Sequence, residues 1–171
     1  MTTDTHQTAR RPEPWNKGKL VGQKPPLKLQ QVWALRTRLL MSGKTRDLAL
    51  FNIAIDSKLR ACDVVLLRLC DVAHGTHMLS RASVVQQKTN QPVRFELAEQ
   101  TRESVRGWIA EAQLSSTDYL FPSRLHLSPH LSTRQYARIV KSWIRMIGAD
   151  PQEYGTHSLR RTKAALIYRR T

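Results

Sequence analysis

The chain has few of the residues that form cross-links or metal clusters. Among its 171 residues there are two cysteines, Cys62 and Cys70, and disulfides are rare inside cells. We therefore interpret both as small core residues. A zinc site joining them to His74 and His77 is the alternative, but the spacing matches none of the usual finger or ribbon patterns. We expect no metal.

Long apolar runs are also missing. No stretch of about eighteen apolar residues could span a bilayer, and residues 1–6 lack the basic-then-apolar order of a signal peptide. We therefore expect a cytoplasmic protein without a membrane partner. The sequence also has no glycine-rich nucleotide loop, Ser/His/Asp triad or carboxylate-rich metal site, so no cofactor is expected.

Acidic residues are scarce relative to basic ones. Thirteen Asp and Glu stand against 28 Lys and Arg, which gives a net charge of +15. A surface of this kind repels itself unless a polyanion neutralises it, so the charge predicts a polyanionic partner, with nucleic acid the leading candidate. A ribosomal or membrane-surface protein would share this charge balance.

The length fits one domain preceded by an arm. Residues 1–26 are basic, rich in proline and without periodicity, which predicts an extended arm. Lys17 and Lys19 in this arm are candidate DNA contacts. Residues 27–171 are the predicted domain.

Helical periodicity dominates the domain. Leu29, Val32, Trp33, Leu39 and Leu40 predict a first amphipathic helix that ends near Gly43. Further predicted helices are a buried one at 45–56, a short one at about 61–68, one at about 105–112, one at about 136–147 that the capping pattern of 132–135 opens, and a last one from 156 or 157 to 170.

Between about residues 69 and 97 the apolar period changes to two. Val93, Phe95 and Leu97 alternate with polar residues, and Thr89-Asn90 lies where a tight turn is expected. These features predict a small antiparallel sheet, which we expect to have three strands.

Two polar motifs stand apart from this core pattern. Residues 155–162, Gly-Thr-His-Ser-Leu-Arg-Arg-Thr, place His157 and Arg160 one helical turn apart on one face. About a hundred residues earlier, residues 60–72 contain an arginine, an acid three residues later and an apolar run that leads to an aspartate. This pair of motifs resembles the two arginine boxes of the tyrosine recombinases, or phage integrases, and the Leu-Phe-Pro-Ser of residues 120–123 resembles a segment that many integrases carry.

The resemblance implies an α+β, mainly helical catalytic domain that breaks and rejoins DNA through a 3′-phosphotyrosine. By this resemblance Arg60 and Arg160 grip the scissile phosphate, because planar guanidinium groups suit its oxygens. Lys88 is the candidate general acid, His157 assists proton transfer, and Asp63 holds Arg60 in place. The simpler interpretations are a helix-end arginine paired with Asp63, a surface lysine and a capping histidine.

The family also uses a tyrosine nucleophile, and none is identified in this chain. Tyr168 lies eight residues after Arg160 on the same predicted helix, roughly 12 Å along its axis at 1.5 Å per residue. Tyr119, Tyr136 and Tyr154 precede the second motif. We therefore expect a chain that stops before the nucleophile and is inactive alone.

Duplex DNA is the expected partner, with oligomers on DNA possible in this family. The other candidate DNA contacts are Arg161, Lys163, Arg169 and Arg170. Two alternatives stay open: a non-enzymatic DNA-binding module derived from an integrase, and a basic RNA-binding or structural protein in which the two motifs are coincidental.

Overall fold

The computed structural model describes residues 22–125 and 128–169. The helices in these ranges are α1 (Leu29–Met41), α2 (Thr45–Ser57), α3 (Ala61–Val65), α4 (Leu69–Val72), α5 (Glu99–Ala112), α6 (Thr133–Met146) and α7 (Thr156–Tyr168). The strands are β1 (Ala73–His74), β2 (His77–Met78), β3 (Arg81–Val85) and β4 (Pro92–Glu96). The mainly helical α+β class predicted from the sequence is confirmed. No helix in the described ranges is long and apolar enough to cross a membrane.

Helix α2 is the centre of the core. Every residue from 49 to 57 is buried, because α2 packs against α1, α5 and α7 on different sides. A helix enclosed in this way needs apolar residues all round, and the Leu50-Phe51 and Ile53-Ala54-Ile55 runs supply them. The predicted buried helix at 45–56 is confirmed.

Helix α6 has the amphipathic pattern that the sequence predicts. The Ser132 side chain accepts a hydrogen bond from the Gln135 backbone N–H at 3.1 Å, which caps the helix start. Tyr136, Val140 and Trp143 are fully buried along one face. The rings of Trp143 and Phe51 of α2 meet edge to face with centroids 5.6 Å apart, an arrangement that aromatic pairs favour.

Helix α1 buries a different stripe from the predicted one. Val32 and Leu39 face the core together with Leu35, whereas Trp33 is 52% exposed and Leu40 68% exposed. Residues 32, 35 and 39 follow the three- and four-residue steps of one helical face. Trp33 lies about 100° round the helix from Val32, so it cannot share that face.

The predicted third helix is shorter than expected, and a separate turn of helix follows it. Helix α3 ends at Val65, and α4 begins at Leu69. At the start of α4, Asp71 Oδ2 accepts a hydrogen bond from the Arg68 backbone N–H at 2.8 Å. Cys70 of α4 is exposed, and Cys62 of α3 is half-buried. The prediction that both cysteines lie in the core is therefore wrong for Cys70.

The strands form two antiparallel pairs, β1 with β2 and β3 with β4, where the sequence predicted one three-stranded sheet. Two residues separate the end of β2 from the start of β3. Strand β1 pairs only with β2, and β4 pairs only with β3. Within the part of the chain that the structure describes, no strand residue therefore has a partner strand on both sides. The predicted turn at Thr89-Asn90 is confirmed by the left-handed φ of 50° at Asn90.

Candidate phosphate-binding site

The start of α7 is held rigidly in the domain. The Ser158 hydroxyl accepts the Gly155 backbone N–H at 3.1 Å, and the Thr162 hydroxyl accepts the Leu27 backbone N–H at 3.0 Å. Ser158 and Thr162 are fully buried. Because these residues and buried Leu159 fix one face of the helix, Arg160 and Arg161 on the other side have a defined direction.

Arg160 on that outer side is joined to the end of α2. Its Nε donates to the Lys58 backbone carbonyl at 3.0 Å. Lys58 follows the last residue of α2 and has φ 54° and ψ 20°, a left-handed conformation that costs most side chains about 1 to 2 kcal/mol. The contact fixes the guanidinium and gives the carbonyl of this left-handed residue a hydrogen-bond donor.

A cavity of about 710 Å³, which we call the Arg160 cavity, opens beside this contact. Its lining residues are Gly22, Gln23, Lys24, Lys58, His157, Arg160 and Arg161. Four lysine and arginine side chains and one histidine thus face the space, and none of the carboxylates in the described ranges does. A concave surface lined by positive charges attracts a polyanion.

The end of the predicted arm forms one wall of the Arg160 cavity. Lys24 Nζ donates to the Gln152 carbonyl at 2.6 Å and to the Tyr154 carbonyl at 3.1 Å. Arg161 Nη1 returns a hydrogen bond to the Lys24 carbonyl at 2.9 Å. The chain before α1 is thereby fastened to the start of α7.

Arg60 lies two residues after Lys58 and is directed toward the β3–β4 hairpin. Its Nη1 donates to Gln86 Oε1 at 2.8 Å, and the Thr89 hydroxyl donates to the same oxygen at 3.0 Å. Gln86 is buried. One amide oxygen therefore connects the first arginine to the base of the hairpin turn.

Asp63 holds the same turn. Its Oδ1 accepts the Gln87 backbone N–H at 2.9 Å, and its buried Oδ2 has no hydrogen-bond partner. The predicted contact of Asp63 with Arg60 is thus replaced by one with the hairpin, because Gln86 takes the Arg60 guanidinium instead. Lys88, exposed at the turn, follows the residue that Asp63 holds.

The structure brings His157 and Arg160 together in one cavity and places Arg60 and Lys88 on the neighbouring hairpin side. The two groups are connected through residues 58–60, since Arg160 bonds Lys58 and Arg60 bonds Gln86. That all four contact one phosphate stays a prediction.

The other predicted contacts have different environments. Lys163 pairs with buried Asp56 at 3.0 Å, so its charge is neutralised within the protein and the DNA contact predicted for it is not supported. Arg161 lines the Arg160 cavity, and Arg169 is exposed after α7. Lys17, Lys19 and Arg170 lie outside the described residues.

Sequence reasoning missed Lys58, Lys24 and Gln86. The left-handed conformation of Lys58 was not predictable from the sequence, because the residue in this position after a helix is usually glycine or asparagine. Among the described residues no three His, Cys, Asp or Glu side chains are grouped as metal ligands would be, so the zinc alternative has no support there.

Residues 27–171 match the model of the phage integrase family. The chain belongs to this family. It is 29% identical over 147 residues to the probable integrase/recombinase YoeC of Bacillus subtilis (strain 168), covering 86% of this chain and 76% of that protein.

Solved structures share the fold. The XerA recombinase matches with a TM-score of 0.70 at 18% identity over 88% of this chain and 51% of its own. The XerH site-specific recombinase bound to difH substrate matches with a TM-score of 0.65 at 17% identity, over 87% of this chain and 45% of its own. Lambda integrase (residues 75–356) bound to DNA matches with a TM-score of 0.58 at 16% identity, over 87% of this chain and 52% of its own. The chain thus spans about half the length of these structures.

Proposed function

We propose that this chain binds duplex DNA and holds one backbone phosphate in the Arg160 cavity, as the phosphate-gripping part of a site-specific recombinase. The observation that carries the proposal is the fixed guanidinium of Arg160 in a cavity that the described residues line with cations and no carboxylate. Membership of the integrase family and the fold shared with recombinases bound to DNA support it. The protein would then act on intracellular DNA.

The hydrogen bonds assign a part to each cation. Lys58 O accepts from Nε of Arg160, which leaves both Nη groups to donate to phosphate oxygens. Donors fixed in this way stabilise negative charge as it builds on those oxygens, without reorganising. His157 lies one turn earlier and can donate to the same phosphate. Arg60 would approach from the hairpin side, and Lys88 would protonate the leaving 5′ oxygen.

The cutting step needs a nucleophile in line with the phosphate. None of the four tyrosines, all within the described ranges, lines the Arg160 cavity. This observation favours the second candidate function, a DNA-binding module that grips a phosphate without cleaving it. We therefore propose that these 171 residues alone bind DNA and form no covalent adduct.

Fluorescence anisotropy with a labelled duplex tests the binding proposal. The logarithm of affinity should fall linearly with that of salt, with a slope of about −0.9 per phosphate contact. Arg160→Gln should lower affinity at every sequence tested, whereas Arg106→Gln, an exposed position on α5, serves as the charge-matched control. Affinity independent of salt, or stronger competition by structured RNA than by duplex, would contradict the proposal.

A suicide substrate nicked near the cleavage point tests the cutting step. On a denaturing gel we expect no protein–DNA adduct from the chain. An adduct that Tyr168→Phe abolishes would instead make Tyr168 the nucleophile. An adduct that survives this change and is lost with another tyrosine would identify that residue.

A further inference from the structure

A second group of arginines lies at the other end of α2. Two adjoining cavities of about 320 and 250 Å³ share Arg46, Asp47 and Arg124, and we call them together the Arg46 cavity. Arg134 and Arg138 of α6 also line the larger one. Residue 46 is roughly 18 Å from Lys58 along α2 at 1.5 Å per residue, so this space is separate from the Arg160 cavity.

Arg46 is the unusual member of the group. Arg46 is only 6% exposed, and its Nε is buried without a hydrogen-bond partner among the described residues. None of the ion pairs among the described residues includes it. A buried guanidinium stays charged and needs acceptors, since an unpaired buried charge is costly.

The surroundings add positive potential. Burial lowers the pKa of Arg46, the charge of Arg124 lowers it further, and only Asp47 raises it. The Asp47 carboxylate is already engaged, because its Oδ2 accepts the Trp143 indole N–H at 3.0 Å. The remaining acid, Glu111, is exposed and lines the smaller cavity but not the larger one. The cations therefore outnumber the carboxylates.

Two helices also begin at this space. The first residues of α2 line the smaller cavity, and the first residues of α6 line the larger one. Helix α2 has no side-chain cap at Lys44, so the backbone N–H groups of its first turn have no side-chain acceptor there. The start of the 13-residue helix α2 attracts anions through these N–H groups and the helix dipole, whereas at the start of α6 the Ser132 hydroxyl already accepts one N–H group.

We propose that the Arg46 cavity binds a tetrahedral oxyanion, a phosphate group, at a site separate from the Arg160 cavity. The phosphate oxygens would accept from the Arg46 guanidinium and, from the solvent side, from Arg124. Charge-assisted bonds of this kind are the strong ones. The phosphate belongs either to a second position on a bound duplex or to a free phosphate ion.

Thermal unfolding in sodium phosphate and in sodium chloride of equal ionic strength and pH tests the site. The chain should melt about 3 °C higher in phosphate, the shift given by roughly 1 kcal/mol of ligand binding in a domain of this size. The variants are compared in an Arg160→Gln background, which removes the contribution of the Arg160 cavity. There the exposed control Arg106→Gln should keep a phosphate-specific shift, and Arg124→Gln and Arg46→Met should abolish it.

Arg124 is exposed, so its variant should fold even if Arg46→Met does not. The inference is overturned if the wild-type chain shows no phosphate-specific shift, or if Arg124→Gln keeps it. A shift lost only with Arg160→Gln would place the anion in the Arg160 cavity, which contradicts this inference but supports the proposed function.

DNA binding by Arg124→Gln distinguishes the two sources of phosphate. A lower affinity with a salt slope smaller by about one contact would indicate a backbone phosphate of the duplex. An unchanged DNA affinity together with the lost phosphate shift would indicate a free phosphate ion. Both results support the site.

Discussion

The two ends of α2 hold positive charge in different ways. At its C-terminal end the cations are bonded to protein acceptors: Arg160 to the Lys58 carbonyl, and Lys163 to Asp56. At its N-terminal end Arg46 is buried with its Nε unpaired and Arg124 nearby. The first arrangement fixes side chains before a ligand arrives, whereas the second leaves a charge that a ligand would satisfy. This protein therefore holds one arginine as a fixed donor and another with an unsatisfied donor.

The largest effect should come from Asp56, which orders the C-terminal end. Its carboxylate accepts from the Ala98 backbone N–H, the Thr101 hydroxyl and Lys163. Asp56→Ala should lower the free energy of unfolding by about 3 kcal/mol, because it leaves a partly buried lysine unpaired. Urea denaturation measures this. The exposed Arg81–Glu96 pair is the control, and Arg81→Gln should change stability by less than about 1 kcal/mol.

Arg160→Gln should have the next largest effect, on binding rather than on folding. It removes a fixed charged donor, so DNA binding should weaken by about 2 kcal/mol, or roughly 30-fold. Anisotropy measures the affinity, and circular dichroism should show an unchanged fold. An Arg160→Gln chain that binds as tightly as the wild type would mean that fixing the guanidinium serves only the fold.

Arg46→Met should act in the opposite direction from Asp56→Ala. In chloride buffer it should raise the free energy of unfolding by about 1 kcal/mol, because an apolar side chain replaces a buried unpaired charge. The matched measurement in phosphate should show this gain reduced or reversed. Destabilisation in chloride would show that Arg46 has acceptors in solution, and the contrast between the two ends of α2 would be lost.

Lys58→Gly should give the smallest effect and separates folding from binding at one residue. Glycine accepts the left-handed conformation, so the free energy of unfolding should rise by about 1 kcal/mol. DNA affinity should fall by about 1 kcal/mol, because one cation leaves the Arg160 cavity. Lys58→Gln is the control that removes the charge and keeps the strained backbone. Equal affinity for all three chains would exclude Lys58 from the site.

Strongly periodic segments were predictable from the sequence. Helices α2 and α6 have continuous apolar faces and, for α6, a serine cap, and both formed where expected. The α1 stripe was less well predicted, because apolar residues outnumber the positions of one face. Which of them is buried depends on the neighbours: α1 packs against α2 and α6, and Leu35 is fully buried.

The sequence by itself determined the family, the helical class, the basic charge and the His157–Arg160 pair, because these depend on residue types at short spacing. Only the tertiary structure decided the acceptors. The Lys58 carbonyl, Gln86 and Asp56 meet their cations across 26 to 107 residues of chain, and the buried Nε of Arg46 has no acceptor among the described residues. Spacing along a sequence cannot show whether a buried charge has a partner, since partners are chosen by packing between distant segments.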